Sequence, residues 1–154
     1  MESIPIHKDF RELCEFLTAG KIEFLIVGGY ALAFHGSPRF TGDLDILVRP
    51  DHDHVARLLQ LLREFGFPHS DVSPEYVLSQ KKILQLGRVP VQVQVMISIT
   101  GVAWEEAWAT RVAGTYGDVP VFFLGKTALI ANKTAAGRPK DLADVDALIK
   151  KEPS

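Results

Sequence analysis

The chain has 154 residues, of which 47% are hydrophobic and 23% charged, proportions typical of a soluble globular domain. This composition excludes a disordered, collagen-like or coiled-coil protein. The 17 basic and 19 acidic residues give a formal net charge of -2, which excludes a globally cationic surface that would coat nucleic acid. We therefore expect a single minimal domain over residues 1–154, with little room for a second substrate-binding domain.

The sequence contains no apolar stretch near the ~20 residues that a membrane span needs, and its first residues do not resemble a secretory signal. The single cysteine, Cys14, has helical spacing with Phe10 and Leu17 and is expected to be a buried thiol. We expect a cytoplasmic protein that has no membrane partner.

The predicted elements mix helices with short apolar strands. In chain order, the first half is predicted to form a helix over 10–17, a buried strand over 24–27, a helix over 30–34, a strand over 43–48 and a helix over 55–62. The second half is predicted to form strands over 82–86 and 91–97 joined as a hairpin, a helix over 104–111, a strand over 119–124, and helices over 126–136 and 140–150. This order predicts an α/β (α+β) fold in which helices flank a mixed β-sheet.

A possible phosphate site follows the first predicted strand, which ends in Gly28 and Gly29 at the start of a helix. Glycines in this position let the backbone approach a phosphate closely. Arg39 and Thr41 follow in the next loop, and both side chains suit phosphate oxygens. The alternative interpretation of the glycine pair is a tight turn.

Two carboxylates begin the second predicted strand. Asp43 and Asp45 are two residues apart, so they project from the same face of the strand. Adjacent carboxylates repel each other unless a cation neutralises them, and Mg²⁺ binds through one or two carboxylates together with substrate phosphates. The pattern therefore predicts a metal–nucleotide site, although a solvated strand edge would also explain an Asp-Leu-Asp triplet.

The segment GGYALAFHGSPRFTGDLD over residues 28–45 resembles the signature of the polymerase-β-type nucleotidyltransferase superfamily. More narrowly, it is similar to small bacterial nucleotidyltransferase-like proteins, including the toxin–antitoxin and MNT-type systems and the antibiotic nucleotidyltransferases. The resemblance continues over residues 98–102 and in the charged residues of 126–144, so it touches most of the chain. It is specific for the superfamily but carries no information about the substrate.

The resemblance implies a set of site residues. Asp43 and Asp45 would ligate Mg²⁺ (or Mn²⁺) and act in catalysis. The further catalytic candidates are Arg39, Lys126 and Asp141. The nucleoside triphosphate substrate would contact Gly28, Gly29, His35, Arg39, Thr41 and Lys133. His35 has a second interpretation, in which it hydrogen-bonds the loop.

The sequence departs from the superfamily pattern at the third carboxylate, which usually lies on a neighbouring strand. Gln94 occupies the expected place, and an amide is neither an anionic ligand nor a base. Asp141 or Asp144 would have to substitute for the missing acid.

The charged residues near the C-terminus have two interpretations. Lys126 and Lys133 are seven residues apart on one face of a predicted helix, where either could reach nucleotide phosphates. The alternative is solvated charge, with an i,i+4 pair between Lys140 and Asp144. The last helix is expected to place its aspartates off the core and to bury Leu142, Val145, Leu148 and Ile149.

Two functions remain open. The first is Mg²⁺-dependent transfer of a nucleoside monophosphate from a nucleoside triphosphate to an acceptor hydroxyl on RNA, protein or a small molecule. The second is a catalytically degenerate fold that acts as a nucleotide-binding or antitoxin-like interaction module. For the first function, the acceptor site would lie at a homodimer interface or on a protein partner.

Overall fold

A computed structural model describes residues 6–37, 42–67, 72–80, 84–88 and 91–150. Within these ranges, one sheet contains β1 (Phe24–Val27), β2 (Asp43–Val48), β3 (Leu84–Arg88), β4 (Val91–Met96), β5 (Val112–Tyr116) and β6 (Val119–Phe123). The helices are α1 (Lys8–Ala19), α2 (Gly28–Phe34), α3 (His52–Phe65), α4 (Pro74–Gln80), α5 (Trp104–Ala109), α6 (Lys126–Ala136) and α7 (Pro139–Lys150). The predicted mixed sheet flanked by helices is confirmed.

The strand order of the sheet is β3-β4-β2-β1-β6-β5. β2 pairs antiparallel with β1 and parallel with β4, while β1 also pairs parallel with β6. The four residues of β1 are all buried, which explains its continuous apolar run at the centre of the sheet. The register of β2 and β4 places Asp45 directly beside Gln94.

The predicted pairing of the third and fourth strands is confirmed, since β3 and β4 are antiparallel neighbours. The residues predicted to form their turn include 89 and 90, which lie outside the described residues. The sequence analysis missed two elements, α4 and β5. β5 is an edge strand whose first two residues are exposed and whose centre is Gly114, so it carries no apolar alternation.

The core lies between the sheet and the helices packed on it. The predicted apolar face of α1 is confirmed, because Phe10, Cys14 and Leu17 are each 1% exposed. α3 is capped by Asp51, whose carboxylate accepts a hydrogen bond from the backbone N–H of His54 over 2.9 Å. Across the described ranges, none of the helices combines the length and the apolar character needed to cross a bilayer.

The interpretation of α7 was right for Leu148, which is buried, but wrong for Leu142, Ile149 and the two aspartates. Leu142 and Ile149 are 49% and 53% exposed, whereas Asp141 and Asp144 are buried. An ionic contact with α6 orients this helix. In it, the ammonium group of Lys133 forms ion pairs with the carboxylates of Asp141 and Asp144. A pattern of apolar residues alone could not reveal this, because the charge that neutralises the aspartates comes from another helix.

Candidate functional site

A cleft of about 760 Å³ opens between the sheet and the α6–α7 pair. One wall consists of the end of β1, the start of β2 and the adjoining part of β4. The opposite wall carries the positively charged side chains Lys133, Arg138 and Lys140. A volume of this size accommodates a ligand as large as a nucleotide.

Gly28 brings the backbone against a carboxylate at one end of the cleft. Its φ of +66° lies in the left-handed region, and a Cβ atom at this position would stand 2.2 Å from Asp45 Oδ2. Only glycine satisfies both the conformation and the close approach. Gly29 lines the cleft beside it.

Asp43 and Asp45 both line the cleft from the same face of β2, as the strand geometry predicted. Oδ1 of Asp45 is buried and has no hydrogen-bond partner among the described residues. Burial, followed by the charge of Asp43, raises the pKa of Asp45 to about 6, while the positive charges of Lys133 and Lys140 act in the opposite direction. An ionised Asp45 is therefore poorly stabilised by the chain alone.

Gln94 takes part in the site through its amide. It lines the cleft next to Asp45 in register, and its Nε2 donates a hydrogen bond to Asp43 Oδ2 over 3.3 Å. In the part of the chain that the structure describes, no group of three His, Cys, Asp or Glu side chains could hold a metal ion. The carboxylates of the sheet wall are therefore two rather than three.

The opposite wall is organised by buried ion pairs. Lys133 Nζ lies 2.9 Å from Asp144 Oδ2 and 3.6 Å from Asp141 Oδ1. Arg138 donates to both oxygens of Asp141, over 2.5 Å from Nε and 3.2 Å from Nη2. Its hydrogen bond is the main cause that lowers the pKa of Asp141. Asp141 is therefore a carboxylate held between two cations, a position suited to orienting Lys133 and Arg138.

Other predicted site residues lie elsewhere. His35 Nε2 is 2.7 Å from the backbone oxygen of Leu124, which matches its loop-bonding interpretation. Burial is the main cause that lowers the pKa of His35. Neither His35 nor Lys126 is among the residues that line the cleft. Arg39 and Thr41 lie outside the described residues.

The cleft also contains polar residues that the sequence analysis did not assign to the site. Asn132 precedes Lys133 on α6, and its Nδ2 donates to the backbone oxygen of Thr100 over 2.9 Å. This bond ties α6 to the turn after β4, where Ser98 and Thr100 also line the cleft. In the sequence, the position of Asn132 next to the candidate site residue Lys133 was the feature that could have indicated its place in the cleft.

Comparison with solved structures places this architecture among known folds. The lincosamide antibiotic adenylyltransferase LnuA, solved with lincomycin bound, superposes with a TM-score of 0.60 over 94% of this chain and 97% of its own, at 13% identity. The chain has a nucleotidyltransferase fold. An antigenic nucleotidyltransferase-like protein from Paracoccidioides brasiliensis matches with a TM-score of 0.59 and 21% identity over 96% of this chain and 78% of its own.

A third structure with this nucleotidyltransferase fold is a proposed nucleotidyltransferase, TM1012, from Thermotoga maritima. It matches with a TM-score of 0.52 and 17% identity over 92% of this chain and 88% of its own. No protein-family description and no curated protein sequence matched the chain. The likeness to these structures therefore concerns the fold, and it agrees with the superfamily resemblance found in the sequence.

Proposed function

We propose that the chain is a Mg²⁺-dependent nucleotidyltransferase that transfers a nucleoside monophosphate from a nucleoside triphosphate to an acceptor hydroxyl. The observation that carries the proposal is the environment of Asp45. The side chain is half-buried next to Asp43, and its Oδ1 is buried without a hydrogen-bond partner among the described residues. A cation would complete a pair of carboxylates of this kind.

The two aspartates fit one Mg²⁺ ion. Magnesium is bound in proteins through one or two carboxylates, together with waters and substrate phosphates, and Mn²⁺ accepts the same oxygen ligands. Asp43 and Asp45 supply these ligands on one face of β2, at the wall of the cleft. When bound there, the ion would polarise the α-phosphate and neutralise charge as the pyrophosphate departs.

The remaining phosphate charge would meet the cationic wall. Lys133 is 7% exposed and is held by Asp144, so its ammonium group is positioned before a nucleotide arrives. Arg138 and Lys140 also line the cleft. On the other side, Gly28 and Gly29 present backbone without side chains, which allows a phosphate to approach closely. The chain would thus contribute positioning and charge neutralisation.

The reaction is a displacement at the α-phosphorus. The acceptor oxygen forms a bond to this phosphorus, and the bond from phosphorus to the oxygen that bridges to the β-phosphate breaks. Pyrophosphate leaves with the electron pair of that bond, and the hydroxyl proton passes to solvent water. The products are a phosphodiester of the acceptor, pyrophosphate and a proton.

The test compares the native chain with Asp45→Asn and with Asp53→Asn, a control whose side chain is fully exposed on α3. Calorimetry with Mg²⁺ and a non-hydrolysable ATP analogue measures binding. ATP labelled at the α-phosphate, incubated with RNA, protein and small hydroxyl compounds, measures transfer. We expect binding and transfer by the native chain and by Asp53→Asn but not by Asp45→Asn. Equal binding by all three proteins would contradict the proposed site.

A second candidate function is a nucleotide-binding module without turnover, which would include an antitoxin-like role. Gln94 favours it, because the amide beside Asp45 can neither carry negative charge for a second metal ion nor accept the hydroxyl proton. Nucleotide binding that depends on Asp45, without release of pyrophosphate in the presence of any acceptor class, would support this alternative.

A further inference from the structure

A second cavity, of about 440 Å³, lies next to the cleft. Ser98 and Ile99 line both spaces, so the two cavities adjoin at the turn after β4. Cavities of this volume hold small organic molecules. The second cavity is referred to below as the apolar pocket.

The apolar pocket lies on the same face of the sheet as the two aspartates. Leu47, which lines it, follows Asp45 by two residues along β2 and therefore projects from the same face. Two residues of extended strand span about 7 Å, so the face changes from carboxylates to apolar surface within the length of a small molecule. A ligand in the pocket could place one end beside the proposed α-phosphate position.

The chemistry of the pocket wall restricts its ligand. The wall contains apolar side chains from several elements, among them Pro50, Leu78, Ile97, Val102 and Trp104. Trp104 stacks on Trp108 with ring centroids 5.2 Å apart, which supports its ring from one side. Among the described residues that line the pocket, Glu105 is the charged one, and its charge is negative.

We propose that the apolar pocket binds the acceptor, and that the acceptor is a small hydroxyl compound with an apolar body that is neutral or positively charged. The proposal rests on the proposed function and narrows its acceptor class. A ribonucleic acid would bring phosphate charge towards Glu105 and would leave the apolar wall largely unfilled. A compact apolar molecule buries that wall and directs its hydroxyl along β2 towards Asp45.

In this arrangement the acceptor hydroxyl oxygen bonds to the α-phosphorus of the triphosphate, and the bond to the bridging oxygen breaks. Pyrophosphate leaves with the electron pair into the cleft between the sheet wall and Lys133. The hydroxyl proton passes to water. The nucleotide and acceptor would approach each other at the turn shared by both cavities.

The binding test uses three probes that share a phenylpropyl framework and a hydroxyl group: phenylalaninol, which is cationic, 3-phenylpropane-1,2-diol, which is neutral, and 3-phenyllactate, which is anionic. Binding is followed without nucleotide by ligand-observed NMR and by the fluorescence of Trp104 and Trp108, the two tryptophans of the chain. We expect saturable binding of the first two probes and binding of phenyllactate that is at least about fivefold weaker.

Two pairs of variants assign the binding to the pocket. Glu105→Lys should reverse the charge preference, whereas Glu106→Lys, on the exposed neighbour outside the pocket lining, should not. Ala103→Phe should narrow the pocket and weaken the binding of all three probes. Ala109→Phe, at the exposed far end of α5, should leave probe binding unchanged. All four positions are exposed, and thermal unfolding checks that each variant folds.

The transfer test adds α-labelled ATP and Mg²⁺ to the same probes and to RNA. Label on phenylalaninol or the diol, lost with Ala103→Phe, supports the acceptor pocket. The pocket proposal is overturned by absence of probe binding, by equal binding of the anionic probe, or by label on RNA alone. Probe binding at the pocket in a protein that does not bind Mg²⁺ and ATP would instead overturn the proposed transferase.

Discussion

The side-chain amide of Gln94 donates a hydrogen bond to Asp43 Oδ2 over 3.3 Å. Gln94 lies on β4, which pairs with β2, the strand that carries Asp43 and Asp45. A neutral donor thus lies where the superfamily pattern has a third carboxylate. It donates to Asp43 without adding negative charge beside Asp45, whose pKa is raised first by burial and then by the charge of Asp43. Among the described residues, this wall of the cleft therefore combines two carboxylates with one amide.

Replacing Gln94→Asp should increase metal affinity and decrease stability. The third carboxylate adds an oxygen ligand beside Asp45, and without metal it repels both aspartates. We expect Mn²⁺ to bind at least about tenfold more tightly, which corresponds to about 1.4 kcal/mol, and the metal-free melting temperature to fall by several degrees. Calorimetry and thermal unfolding measure the two effects. Gln85→Asp, one strand farther out on β3, is the control, and an equal gain of affinity there would contradict the assignment.

Replacing Gly28→Ala should disturb the carboxylate site more than its backbone strain explains. The Cβ atom would lie 2.2 Å from Asp45 Oδ2, whereas Gly36, which also has positive φ, has open space around it. Backbone strain should cost each alanine variant about 1–3 kcal/mol of unfolding free energy. Gly28→Ala should cost more than Gly36→Ala and should also lose Mg²⁺-dependent ATP binding. Chemical denaturation compares the unfolding free energies of the two variants, and calorimetry compares their ATP binding. Equal losses in both variants would contradict a role for the close approach of Gly28 to Asp45.

Replacing Lys133→Met should destabilise the chain strongly. The change leaves Asp141 and Asp144 without the ammonium group that approaches both of them in a buried position. Loss of one member of a buried ionic cluster costs about 3–5 kcal/mol. Lys150→Met is the control, since it removes an exposed i,i+4 pair with Asp146 and should cost less than about 1 kcal/mol. Urea denaturation measures the free energy of unfolding of both variants. A loss below 1 kcal/mol for Lys133→Met would contradict the stabilising role of the ion pairs between Lys133 and the two aspartates.

His54 should lower the stability of the chain as the pH drops through the range in which an unfolded histidine takes up a proton. His54 Nε2 accepts the backbone N–H of Glu23 over 2.8 Å, and its Nδ1 lies 3.0 Å from the backbone oxygen of Arg49. Burial is the main cause that lowers the pKa of His54. The unfolded chain therefore binds this proton more readily, and the contribution of His54 to stability rises with pH between its native pKa and about 6.5.

In thermal unfolding between pH 5 and pH 7.5, His54→Gln should lose less stability towards acid than the native chain does. His52 provides a control of opposite sign, because its hydrogen bond to Glu75 is the main cause that raises its pKa. His52 contributes stability at low pH that disappears as the pH rises, so His52→Gln should steepen the acid loss. An unchanged slope in His54→Gln would show that other groups control the acid response.

Local sequence patterns were sufficient for the fold class and for one wall of the cleft. Three local patterns were enough because each depends only on residues nearby in the chain. They are the continuous apolar run of β1, the two-residue spacing of Asp43 and Asp45, and the glycines at 28 and 29. The face shared by the two aspartates follows from strand geometry alone. The superfamily resemblance rested on the same segment, and the solved structures agree with it at the level of the fold.

The other wall and the apolar pocket were decided only by the tertiary structure. Burial of Asp141 and Asp144 depends on an ammonium group from α6, so the apolar pattern of α7 identified Leu148 correctly but missed the two aspartates. The apolar pocket combines residues from distant elements, including Leu47, Leu78 and Trp104. A sequence determines periodicity and local conformation, whereas charge compensation and cavities arise only when separate elements meet. The number of carboxylates could be read from the chain, but how Gln94 replaces the third became visible only in the packed sheet.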